Sequence, residues 1–148
     1  MTMTHSDLFG KKIVIRSFFV TPLIFLFIVL VMSSNPSFGN ISDIQKAVLP
    51  FIAITFALVG IISNVFARFT LEQQLKNTEQ DFPILLIMMT FSEIPVILGL
   101  ILTILLEEII YFFGFFVLTY LLMLWNFGLV KNWEQKMQED QDQTGMYA

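Results

Sequence analysis

The chain is expected to be all-α: a multi-pass membrane protein of four transmembrane helices with both termini on the cytoplasmic side. Three observations carry that expectation. Apolar residues make up 56% of its 148 residues and mean hydropathy is +0.77, above the ~45–50% apolar content of soluble domains. The apolar residues gather into four runs, 13–32, 44–68, 83–106 and 109–130. Each is at least the ~20 residues that cover a ~30 Å hydrocarbon core at ~1.5 Å per residue. The third observation is the placement of the basic residues, taken up after the elements themselves.

Residues 1–12 read as a polar N-terminal tail ending in Gly10, Lys11 and Lys12. The first span, Ile13–Met32, carries Arg16 one turn inside, where its stem can snorkel back to the interface. The stretch Ser37-Phe38-Gly39, with small residues on either side of Phe38, leaves a cleaved signal peptide as the rival reading. The apolar region exceeds the ~7–15 residues of a signal core, so the span is expected to be retained. Pro, Gly, Asn and Ser make 33–42 a loop. Ser42 with Gln45 three residues on fits a capping box that starts the second span.

That span, Ile44–Arg68, has Pro50 near its entrance. Ala53, Ala57, Gly60, Asn64 and Ala67 recur at steps of four and three. They form a narrow stripe along which another membrane helix can approach closely. Asn64 stands on the stripe as a hydrogen-bonding group without an identifiable partner. Residues 69–81 are polar and extend the helix toward water before Pro83 opens the third span. That span ends at Leu106, and Glu107-Glu108 is the only polar break before Ile109. One 48-residue helix over 83–130 reaches ~72 Å and overshoots the bilayer, so the two glutamates mark a tight turn. The fourth span, Ile109–Val130, is aromatic-rich, with Tyr111 near one end and Trp125 and Trp133 near the other, as an interfacial belt requires. Residues 131–148 form a charged tail, helical to about Gln141.

Seven of the eight basic residues, Lys11, Lys12, Arg16, Arg68, Lys76, Lys131 and Lys136, fall on one side of this arrangement; only Lys46 falls on the other. The positive-inside rule makes that side cytoplasmic. A multi-pass protein of the cell membrane, plasma or inner, is therefore expected. Its surroundings are the lipid bilayer, with a homo-oligomer or other membrane subunits as further partners.

Glu93 is the chemically distinctive residue. It is the eleventh residue of the third span, about 16 Å from its start, and a carboxylate at that depth costs at least ~2.5 kcal/mol. No Lys or Arg lies at the centre of another span, so the neutral acid is expected, hydrogen-bonded to uncharged groups. Thr90, Ser92, Asn64, Thr119, Tyr120 and Asn126 are available. Pro95 has no N–H, which leaves the carbonyl of Phe91 as an acceptor close to Glu93. Ser92, Pro95, Gly99 and Thr103 give this span a slim face of its own, fit to meet the small stripe of the second.

Spans two and three resemble the hairpin of the proteolipid c subunit of F- and V-type rotary ATPases. Ala67-Arg68 opens the polar loop as in that family, and the mid-membrane Glu93 is followed six residues later by Gly99-Leu100. The likeness covers residues 50–106. It implies a proton site at Glu93, and Ile94 rather than Ser or Thr after the glutamate implies a proton rather than sodium.

Two functional readings stay open. In one, Glu93 binds or translocates a proton, supported by Phe91, Ser92, Pro95, Gly99 and Asn64. In the other, the protein is structural or an assembly factor, and Glu93 only hydrogen-bonds between helices. The absence of cysteine and the single histidine, His5 in the tail, leave no metal constellation and no nucleophile–base pair. No cofactor is expected and no enzymatic role. An acidic tail and the lack of a basic patch argue against nucleic acid as a partner.

Overall fold

A computed structural model describes residues 5–34, 43–75 and 79–146, and among these every regular element is helical. In chain order they are α1 (His5–Ser17), α2 (Thr21–Ser33), α3 (Asp43–Glu72), a 3₁₀ turn (Glu79–Asp81), α4 (Phe82–Leu106) and α5 (Ile109–Met146). Four stretches are long and apolar enough to cross a membrane: Asp7–Ser33, Ala47–Glu72, Phe82–Leu106 and Ile109–Asp140. The chain is thus all-α with four helices of spanning length. Residues 35–42, Lys76 and the side chain of Gln45, on which the expected loop and capping box rest, lie outside what is described.

The first span departs from the uninterrupted helix expected of it. Pro22, at the start of α2, has no N–H to give the carbonyl four residues back. The chain tightens instead. Phe18 N, Phe19 N, Val20 N and Thr21 N each donate to the carbonyl three residues earlier, at 3.3, 3.2, 2.9 and 3.2 Å. Leu23 N donates to Val20 O at 3.0 Å, not to Phe19 O. The Phe19 carbonyl is filled from outside, by Tyr120 Oη at 2.8 Å. Before the break, α1 is no solvated tail: Leu8 and Ile15 are buried with Leu85, Met89, Trp133 and Met137.

α3 runs one turn beyond Arg68 and contains Pro50. α4 begins with Pro83 in its first turn, where a missing N–H costs nothing. It ends at Glu107, whose φ of 52° is left-handed; that residue and Glu108 make the sharp reversal into α5. α5 then continues unbroken to Met146, so the charged segment is the same helix carried past the span.

α4 is the axis of the bundle, packed chiefly on α5 and α3. Its buried residues include Ser92, Pro95, Gly99 and Thr103, the slim face read from the sequence. The face divides between two neighbours. A Cβ on Gly60 of α3 would lie 2.9 Å from Pro95 Cγ, so α3 and α4 touch there. A Cβ on Gly99 would lie 2.5 Å from Phe115 Cβ, so Gly99 admits α5 rather than the α3 stripe. Ala53, Asn64 and Ala67 of that stripe are buried and Ala57 is half-buried. Lipid tails are as apolar as leucine, so close backbone approach of this kind is the main attraction open to helices in a bilayer. The outward faces, such as Phe27, Phe51, Ile62 and Leu121, are strongly exposed and apolar.

Candidate functional site

Two polar sites lie side by side on α4 because consecutive helical residues point about 100° apart. Ser92 faces the seam of α3 and α5; Glu93 faces α2.

At the seam, Asn64 Nδ2 donates to Ser92 Oγ at 3.1 Å and Asn126 Nδ2 donates to the same oxygen at 2.8 Å. Asn126 Nδ2 also lies 3.4 Å from Asn64 Oδ1. The Ser92 hydroxyl in turn donates to the Met88 carbonyl at 3.1 Å. Asn64, Ser92 and Asn126 are at most 2% exposed, so each bond is made where no water competes. Arg68, one turn along α3 from Asn64, closes the cluster. Its Nη1 donates to Trp125 O at 2.7 Å and reaches Asn126 Oδ1 at 3.4 Å. Its Nε pairs with Glu72 at 3.2 Å, and the guanidinium lies 4.2 Å from the centre of the Trp125 ring. Three helices are joined through four side chains.

Glu93 takes no part in this. Thr21, the first residue of α2 after the break, is the hydroxyl that interacts with its carboxyl. Oε1 is buried and has no hydrogen-bond partner. Most of the expected neighbours are engaged elsewhere: Thr90 donates to Leu86 O, Tyr120 to Phe19 O, and Asn64, Ser92 and Asn126 to the seam. Thr119 Oγ1 is buried without a partner of its own. Among the described residues no hydrogen bond joins Glu93 to the Phe91 carbonyl. Pro95 and Gly99 are packing residues, against Gly60 and Phe115.

A third polar contact ties the two ends of the chain. Arg16 Nη2 meets Glu134 Oε2 at 3.2 Å; the Glu134 side chain is only 11% exposed, that of Arg16 59%. Arg16 therefore crosses to α5. Lys11 lies 5.5 Å above the Phe82 ring.

Thr21, Arg68 and Glu134 are the residues that sequence reasoning did not place here. Arg68 carried a signal, since it stands four residues after Asn64 on one face of α3. Thr21 and Glu134 carried none, because their partners are 72 and 118 positions away. Chemically, the seam is a saturated neutral network beside a cation already paired. Three buried side-chain atoms among the described residues keep spare hydrogen-bonding capacity, Glu93 Oε1, Thr119 Oγ1 and Glu134 Oε1; of these only Glu93 is an acid in the middle of a helix of spanning length and outside an ion pair. Among the described residues no three His, Cys, Asp or Glu side chains gather as a metal site. Comparison with protein-family models, with curated proteins and with solved structures finds no match to this chain.

Proposed function

We propose that this polytopic membrane protein binds a proton reversibly at Glu93, within the bilayer, beside the Thr21 hydroxyl. The observation that carries the reading is the buried Oε1 of Glu93 without a partner, while Asn64, Ser92 and Asn126 satisfy one another a single residue away. A glutamic acid kept only to join helices is expected to use its hydrogen-bonding capacity as that cluster does, since an unpaired buried polar atom costs about 1–3 kcal/mol. An intramembrane carboxyl that leaves the capacity unused fits a group that exchanges its proton. The likeness of residues 50–106 to the rotary-ATPase hairpin belongs to the same proposal and supports a proton over sodium.

The test is labelling by a hydrophobic carbodiimide, which reacts with protonated carboxyls in apolar surroundings. Modification centred on Glu93, falling as pH rises and abolished in Glu93→Gln, is the expected result. No labelling at any pH, with Glu93→Gln unchanged in stability, sinks the proposal. The structural reading is favoured by the Asn64–Ser92–Asn126 seam, which shows that this bundle does use buried polar groups to hold helices together; it expects the second outcome.

A further inference from the structure

α3 meets α5 only sparsely, and at one end that meeting is the Arg68–Trp125 contact. Elsewhere the two helices part around a groove of about 320 Å³ whose walls include Ala53, Ala57, Tyr111, Gly114, Phe115 and Leu118. The Tyr111 hydroxyl is the one polar side-chain group on its walls. Both walls belong to stretches of membrane-spanning length. The rim continues into exposed apolar side chains, Ile54 at 58%, Ile110 at 65% and Val117 at 56%, which form the bilayer-facing surface.

We propose that this groove holds one acyl chain of a phospholipid as a fixed part of the bundle, with the headgroup at the Tyr111 end. Size decides the occupant. At about 320 Å³ the groove is roughly twice the ~150 Å³ apolar cavity that stays dry and accepts benzene, which leaves room for on the order of a dozen carbons. From Tyr111 to Leu118 the helix rises about 10 Å, so the channel has a section of roughly 30 Å², whereas a helix ~10 Å across occupies ~80 Å². A helix from a second copy can enter it only by its side chains, whereas a hydrocarbon chain fits along its whole length. Tyr111 stands four residues from the Glu107 turn, at the level where an aromatic hydroxyl meets headgroups. An empty groove would forfeit dispersion contacts along both walls, so a chain held there completes the seam that Arg68 closes at its other end.

The test uses the full-length protein in detergent with added dioleoyl phosphatidylcholine, read by native mass spectrometry through a delipidating wash. One phospholipid per chain is expected to survive the wash. Gly114→Leu and Ala57→Leu fill the groove from opposite walls and should each lower the retained fraction at least about tenfold, the effect of ~1.4 kcal/mol. Val117→Leu, on the adjoining outer surface, should not. A Cβ at Gly114 meets nothing within 4 Å, so that variant leaves helix packing intact. The chain has no cysteine of its own, which allows a measurement without groove-filling variants. A fluorophore on Gly114→Cys should be quenched by acyl-brominated phosphatidylcholine during the wash and one on Val117→Cys should not. Loss of all lipid from the parent, equal retention in both filled variants, or cross-linking of two copies through Gly114→Cys overturns the proposal.

Discussion

Asn126 does the most with one side chain: it donates to Ser92, approaches Asn64 and accepts from Arg68, linking α5 to both neighbours. In water such bonds net ~1 kcal/mol each, and measured values between membrane helices average lower, because the unfolded helices find other partners in the bilayer. Removing Asn126 leaves Asn64 short of a contact in a dry site and Arg68 short of one at its partly exposed edge. Asn126→Leu should therefore destabilise the bundle by about 1–3 kcal/mol, measured as unfolding in mixed micelles. A change below a few tenths would mean that the cluster relaxes around the loss. The Arg16–Glu134 pair has less leverage: the arginine is more than half exposed, and pairs of that kind contribute ~0–1 kcal/mol.

At the scale of elements, the α4–α5 reversal and the α4 packing face make opposite demands on side-chain size. Glu107 holds a left-handed backbone at φ 52°, a conformation that costs an L-residue about 1–2 kcal/mol and glycine little. Glu107→Gly is expected to raise stability by up to about 1 kcal/mol, seen as a higher melting temperature in detergent. A lower one would show that the Glu107 side chain contributes something the turn geometry does not reveal. Gly99 is the reverse case. A Cβ there would stand 2.5 Å from Phe115 Cβ, so the helices must separate to admit one. Gly99→Leu should destabilise by at least ~1–3 kcal/mol, with Gly99→Ala between it and the parent. The break between α1 and α2 belongs to this scale too. Pro22 displaces the local hydrogen bonds, and the carbonyl set free at Phe19 becomes the anchor for Tyr120.

For the whole molecule, if each of the four helices of spanning length crosses the membrane once, the two termini share a side, and the distribution of basic residues predicts that side to be cytoplasmic. The cysteine-free chain makes the check direct. Single cysteines at Lys12 and Gln143 should react with an impermeant maleimide only after the membrane is opened, and one at Glu108 should react in intact cells. The opposite pattern would invert the topology and turn the Arg68 end of the seam outward.

Fold class, four helices of spanning length and the Glu107–Glu108 turn were legible in the chain itself. Each is set by local quantities: run length against bilayer thickness, and two charges that cannot continue an apolar helix. The slim faces of α3 and α4 were legible for the same reason, since helical periodicity places residues on a face without reference to any neighbour. Which faces meet was not. Gly99 went to Phe115 rather than to the α3 stripe, and Asn64 and Ser92 went to Asn126 rather than to Glu93. Nor was the partner of Arg16 legible, Glu134 of α5. The break at 18–20 was signalled by Pro22, but its stabilising partner, Tyr120, lies 101 positions away. In lipid the apolar pattern distinguishes a helix that spans from one that does not, yet scarcely orients one span against another, because lipid and leucine are equivalent surroundings. Orientation comes from close approach and from pairing buried polar groups, and both depend on three-dimensional neighbours. The sequence by itself determined that a carboxyl lies in the middle of a helix of spanning length; only the tertiary structure decided that Asn64, Ser92 and Asn126 are bound to one another and that the carboxyl faces Thr21.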